Sequence, residues 1–200
     1  DAILYLHGIT SNFPGAYAQT IDYWRAAKLP NYDLRIREDI NGSGKNVVLL
    51  APSLGDNPYK YRNDLSSKNG ALDDYFTKVL AAINTYTIKK RFNSGPVTIR
   101  NLILAAHSAG GWQMLKIAML NNPIYGARIT ECWGFDCLYG KVVDAWRTWA
   151  SKNSNKKLMV YYQGTTAGNS TLLARNSTKL PNVFIKKSPA KNQYWVVKHH

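Results

Sequence analysis

The stretch Leu102-Ile103-Leu104-Ala105-Ala106-His107-Ser108-Ala109-Gly110-Gly111-Trp112 constrains this chain more than any other. An apolar run stops at a serine set among small residues. Met114, Leu115, Ala118 and Met119 then recur at helical spacing until Asn121-Asn122-Pro123. The pattern reads as strand, tight turn, helix, with Ser108 at the apex. A serine on such a turn stands exposed above the sheet, where it can act as a nucleophile. Its neighbours are small because strand and helix approach too closely for bulk. The turn also aims the N–H of Ala109 at the place where an oxyanion would form. The motif is Gly-x-Ser-x-Gly with Ala106 in place of the first glycine, the smallest departure available.

At 200 residues the chain is sized for one domain with a substantial core. Hydrophobic residues make up 45% and charged residues 19%, which excludes a disordered chain. No apolar run approaches the roughly 18 residues of a membrane span. The start is strand-like and no signal peptide is read there; a removed leader would leave the same start. The composition fits secreted and cytoplasmic chains alike. Cys132 and Cys137 lie close together at one strand end, poor geometry for a bridge, and read as buried or free thiols without a metal pattern. No cofactor or metal is expected.

Strand-like and helix-like segments alternate along the sequence. Strands are expected over Ala2–Leu6, Asn46–Ala51, Val97–Ala105, Ile129–Phe135, Leu158–Tyr162 and Val183–Ile185. Helical spacing marks residues 15–28 (Tyr17, Ile21, Trp24), a segment carrying Leu72, Phe76, Val79, Leu80 and Ile83, the segment after Ser108, and one carrying Val142, Trp146 and Trp149. Residues 30–45 are polar and turn-rich, and residues 52–70 read as a long loop. The alternation predicts an α/β fold: a mostly parallel sheet of about six strands with helices on both faces. Ligands bind such sheets beyond the carboxyl ends of the strands. His7, Ser108 and Asp136 each follow a predicted strand, so all three fall on that edge.

A nucleophilic serine needs a base, and the base needs an orienting carboxylate. Of four histidines, His107 adjoins Ser108 and points away from its side chain, and His7 precedes a glycine at the end of the first strand. Elimination within these residues leaves His199 and His200, which follow the strand-like Tyr194-Trp195-Val196-Val197; a histidine beyond His200 is the alternative. Glu131 is mid-strand, facing a helix layer instead of the site, and Asp144 falls within a helix. Asp136 is the best-placed acid, giving the chain order Ser108, Asp136, histidine.

That order, with Ala106-His107-Ser108-Ala109-Gly110 as a nucleophile elbow and Leu4-Tyr5-Leu6-His7-Gly8 as a first-strand oxyanion element, resembles the α/β-hydrolase family over nearly the whole chain. The resemblance implies an oxyanion hole from the N–H groups of Ala109 and of Gly8 or Ile9, and an acyl-enzyme mechanism on Ser108. It also implies that the chain begins at the family's third strand and stops at His200, where members usually continue into a closing helix. The likeness is to a minimal, cutinase-sized or truncated version without a cap domain. The acid follows the strand after the nucleophile helix; most members place it one strand later, where this chain reads Gln163-Gly164-Thr165-Thr166 without a carboxylate.

Phe13, Trp112, Trp133, Phe135, Tyr139 and Trp195 lie near predicted strand ends, where an apolar acyl or aromatic group would stack. Trp112 beside the serine, Tyr139 just past Asp136, and Phe13 in a rim at residues 9–15 are the candidates for substrate contact. An open site fits a small-molecule or polymeric ester. The expected activity is cleavage of carboxylic esters; amide, thioester or acyl-transfer chemistry on the same groups, or a binding protein on a hydrolase scaffold, are the alternatives. Net charge is +14, and ten Lys or Arg but no Asp or Glu follow Asp144. An anionic surface partner is compatible with that asymmetry, whereas no arginine–aromatic run points to nucleic acid. Asn41-Gly42-Ser43-Gly44-Lys45-Asn46 lacks the first glycine and the following helix of a phosphate loop and reads as a polar turn. Asn41, Asn169 and Asn176 head Asn-x-Ser/Thr sequons, which matter only in a eukaryotic secretory route.

Overall fold

The computed structural model describes residues 1–8, 40–52, 54, 65–66, 70–88, 96–120 and 122–188. Six strands form one parallel sheet: β1 (Ala2–Leu6), β2 (Val48–Leu50), β3 (Leu102–His107), β4 (Ile129–Phe135), β5 (Lys157–Tyr162) and β6 (Val183–Lys187). Their spatial order is β2-β1-β3-β4-β5-β6. Among the described residues, four complete helices alternate with them: α1 (Ala71–Ile83), α2 (Gly110–Met119), α3 (Val143–Lys152) and α4 (Ala167–Asn176). The fold is α/β.

Every residue of β1 is buried. This central strand is apolar throughout because both of its faces are covered. Leu4 and Leu6 point into the larger core cluster, with Leu104, Cys132 and Val160 from the neighbouring strands. Ile3 and Tyr5 point the other way, beside Ala105 and Phe135.

These four helices all feed the first cluster, through Leu72 and Phe76 of α1, Met114 and Ile117 of α2, Trp146 and Trp149 of α3, and Leu173 of α4, whereas Ile40 of the helical residues 40–42 packs against the second. Handedness explains this one-sidedness. From β2 onward every connection steps in one direction along the sheet, and right-handed crossovers then fall on one face. The connection from β1 to β2 steps the opposite way; its expected helix over residues 15–28 lies outside the described residues.

The helices are tied to one another as well as to the sheet. Trp146 and Trp149 meet edge to face at 5.6 Å, and the Trp149 indole N–H donates to the Ala118 carbonyl at 3.1 Å, joining α3 to α2. The buried Asn182 amide, just before β6, reaches the carbonyls of Ala150, Asn153 and Lys156 at the end of α3. Within the 52–70 loop, Leu54 and Leu65 are buried and the Ser66 hydroxyl donates to Gln113 Oε1 of α2 at 3.1 Å.

Strand three is shorter than expected: Val97–Arg100 is irregular, with the Val97 N–H donating to the Asn84 side chain at 2.7 Å. Met119 is 51% exposed, so it ends α2 on the solvent side instead of extending its apolar face. Helix α4 and the wide turn Asn84–Ile88 have no counterpart among the sequence expectations. Among the described residues, no helix is long and apolar enough to cross a membrane.

Candidate active site

The strand order locates the crevice. The chain leaves β1 in one direction, toward β2, and leaves the adjacent β3 in the other, toward β4, so the connections diverge beyond the carboxyl ends of β1 and β3. A divergence of this kind leaves an open cleft at the sheet edge. Gly8 follows β1 and Ser108 follows β3, and the strands pair in register up to Leu6 and Ala106. A methyl group on Gly8 would lie 2.8 Å from Ser108 Cβ and 3.3 Å from its Oγ. The serine side chain therefore stands directly against the Gly8 backbone, which must be bare for this approach.

Ser108 has φ of 53°, a left-handed conformation that a non-glycine residue adopts at a cost of about 1 kcal/mol or more. Hydrogen bonds fix the turn on both sides. The Ser108 N–H donates to the Phe135 carbonyl at 3.1 Å, and its own carbonyl accepts from Gly111 N–H at 3.0 Å. Helix α2 opens on Ala109 at the N-cap position, with no side-chain cap, followed by two glycines. Glycine is a poor helix former, and packing explains its use here. A Cβ on Gly110 would fall 2.1 Å from the Leu6 carbonyl oxygen, and one on Gly111 would fall 2.5 Å from that of Cys137. Ala106, in place of the motif's first glycine, is fully buried within the core and causes no break in the strand.

Asp136 is the other non-glycine residue with positive φ among the described residues, at 45°. It follows β4 as Ser108 follows β3, with His107 and Phe135 paired across the two strands. Its backbone N–H donates to the Tyr161 carbonyl at 2.8 Å. Its carboxylate meets the connection from β5 to α4. The Gln163 N–H donates to Oδ1 at 3.2 Å, the Thr166 hydroxyl donates to the same oxygen, and the Thr165 hydroxyl lies 3.5 Å from Oδ2. Tyr139 joins through a 3.1 Å hydroxyl–hydroxyl contact with Thr165. The Asn169 amide holds the intervening turn by donating to the carbonyls of Leu138 and Gly140.

The described histidines and cysteines have structural surroundings. His7 Nε2 accepts the Leu54 N–H at 2.8 Å, so its proton sits on Nδ1, which donates to the Gly8 carbonyl at 2.7 Å. Burial lowers its pKa, and the hydrogen bond to Gly8 only partly offsets this. His107 is pushed down to about 4 by burial, which outweighs the opposing field of Asp136 and is reinforced by His7. Both rings are therefore neutral near pH 7. Cys132 and Cys137 are buried free thiols, and burial pushes Cys137 up to about 12 with Asp136 adding to the effect. Neither thiol ionises at neutral pH.

Gly8, Ser108, Ala109 and Asp136 thus share one end of the sheet, the edge on which the sequence sets His7, Ser108 and Asp136. Trp112 lies one helical turn past Ser108, half-buried, with the Lys116 ammonium 5.7 Å from its ring centroid. Phe135 is wholly buried, so it is core and not cleft. Glu131 is mid-strand, bound to the Trp133 indole at 2.8 Å and to Lys157 at 3.5 Å. Ile9, Phe13, Trp195, His199 and His200 lie outside the described residues. Sequence reasoning missed Gln163, Thr165 and Thr166 as partners of the acid; the two hydroxyls in a segment lacking a carboxylate were the available signal. Among the described residues, no group of three or more His, Cys, Asp or Glu gathers as a metal ion requires. No family model matches the chain, and neither a curated protein nor a solved structure matches it.

Proposed function

We propose that this chain is a serine hydrolase of the α/β-hydrolase type, cleaving carboxylic esters through an acyl-enzyme on Ser108. The observation that carries this reading is the strained serine: φ of 53° at a strand–turn–helix apex, set in the sheet's crevice against a backbone with no side chain. Left-handed non-glycine residues persist where the surroundings over-determine them, and such strain clusters at functional sites.

The reaction follows from the groups around it. A histidine, His199 or His200, takes the Ser108 proton while Oγ attacks the acyl carbon. Asp136 orients that imidazole and offsets the charge it acquires. The negative charge on the carbonyl oxygen falls toward the Ala109 N–H, with Gly8 or Ile9 as the second donor. The alcohol then leaves with the proton from the histidine, and water releases the acid by the same steps in reverse. Proton transfer by the base contributes about 10²–10⁴-fold, and each oxyanion donor about 10²–10³-fold. Trp112, Tyr139 and Phe13 form the proposed acyl contacts.

The test is labelling by a fluorophosphonate probe, wild type beside Ser108→Ala, followed by a chain-length series of p-nitrophenyl esters. Labelling that disappears in the variant, with ester turnover, is the expected result. A folded wild type that takes up no probe overturns the reading and leaves the scaffold-binding alternative. Labelling with turnover of amides or thioesters but not esters keeps the nucleophile and changes the substrate class.

A further inference from the structure

Three donors on the β5–α4 connection converge on Asp136, and they are unequally arranged. Two of them, the Gln163 N–H and the Thr166 hydroxyl, address Oδ1; Oδ2 has only the exposed Thr165 hydroxyl at 3.5 Å among the described residues. Thr166 is almost wholly buried, at 1% exposure. It also occupies the N-cap position of α4, where a threonine hydroxyl ordinarily accepts an N–H of the first turn. Here it makes no such cap. The hydroxyl is committed to the carboxylate instead. From this geometry we infer that Thr166 is a positioning residue for the acid of the triad: it pins Oδ1 so that Oδ2 presents to the imidazole N–H of the base.

This role rests on the serine-hydrolase reading. It answers a question raised by that reading, because an acid that follows β4 sits one strand earlier than the more common position. The segment that ends β5 carries no carboxylate, and in this chain it supplies the donors that fix the neighbouring strand's acid. Two donors on one oxygen restrict how far the carboxylate can turn, and the orientation of a hydrogen-bonded imidazole depends on that restriction. A competing account makes the pair purely structural, a negative charge placed at the start of α4, which has no acidic residue in its own first turn. The two accounts separate in the pH dependence of catalysis.

The experiment measures fluorophosphonate labelling rate and p-nitrophenyl ester kcat/KM against pH for wild type, Thr166→Val, Thr166→Ala and Thr166→Ser, with far-UV circular dichroism to establish folding. The valine and alanine variants lose the donor. Rates 10- to 100-fold lower are expected, and the acidic limb of the profile should move to lower pH, because an imidazole whose carboxylate is no longer held against it keeps its proton less well. Serine keeps the hydroxyl and should restore both rate and profile. Alanine serves where valine fails to fold. A folded valine or alanine variant with the wild-type profile overturns the inference and leaves the hydrolase reading intact. A wild type that is folded and does not label overturns both.

Discussion

Two residues hold the backbone strain of this site, and the strain makes a measurable claim. Ser108 and Asp136 both have positive φ and both end a strand on the same edge of the sheet. Relief of the strain at Ser108 requires only a residue without Cβ. Ser108→Gly and Ser108→Ala both lose the hydroxyl, but glycine adopts φ of 53° freely and alanine does not. The glycine variant should therefore be more stable than the alanine variant by about 1 kcal/mol in urea unfolding, although neither reacts with an acylating probe. Equal stabilities would mean that the turn relaxes once the hydroxyl is gone and that no strain is held there. These two residues were legible in the sequence because each interrupts an apolar run. Thr166 was not, since its role depends on which part of the β5–α4 connection the register of β4 against β5 sets beside Asp136, and no local pattern carries that information.

At the scale of elements, helix α2 is placed by what its first turn lacks. The Gly110 position lies so close to the end of β1 that an added Cβ would meet backbone oxygens of Leu6 at 2.1 Å and His7 at 2.6 Å. Backbone cannot swing aside as a flexible side chain would. Gly110→Ala should cost about 2–3 kcal/mol and slow acylation of Ser108, because the helix and the turn above it must shift together. Gly168, in the first turn of α4, makes the control: a Cβ there meets nothing within 4 Å. Gly168→Ala should leave the site untouched and add about 0.5 kcal/mol. If both substitutions prove neutral by thermal and urea unfolding, close approach is not what places α2. Element existence was legible where the apolar period was strong, as in α1 and α3. Helix α4 escaped because Ala167-Gly168-Asn169-Ser170-Thr171 reads as a turn, and only Leu172 and Leu173 interrupt its polarity. Tertiary contacts override propensity there: Ser170 and Leu173 are fully buried, and Asn169 braces the turn after Asp136.

For the whole molecule, burial of two neutral histidines sets how stability depends on pH. His107 titrates near 4 in the folded protein and near 6.5 when unfolded, and His7 is shifted in the same direction. Between those pH values the unfolded chain binds more protons than the folded one, so stability rises with pH through the window and falls as the protein is acidified. The contribution is fully present above about pH 6.5 and gone below about pH 4, a linked loss of about 3 kcal/mol from His107 alone. A second acid-dependent effect acts in parallel. The chain already carries +14, with no acid after Asp144 to balance its ten cations, and protonation adds to the self-repulsion. Salt separates the two. Repulsion between exposed charges is screened when ionic strength is raised to about 0.5 M, whereas the desolvation of a buried ring is not. Urea unfolding at a series of pH values should thus show a slope between pH 6.5 and 4 that persists in high salt and falls by about one proton in His107→Gln. A slope that salt removes, or one unchanged in the variant, would assign acid sensitivity to surface charge instead of to the histidine beside the nucleophile.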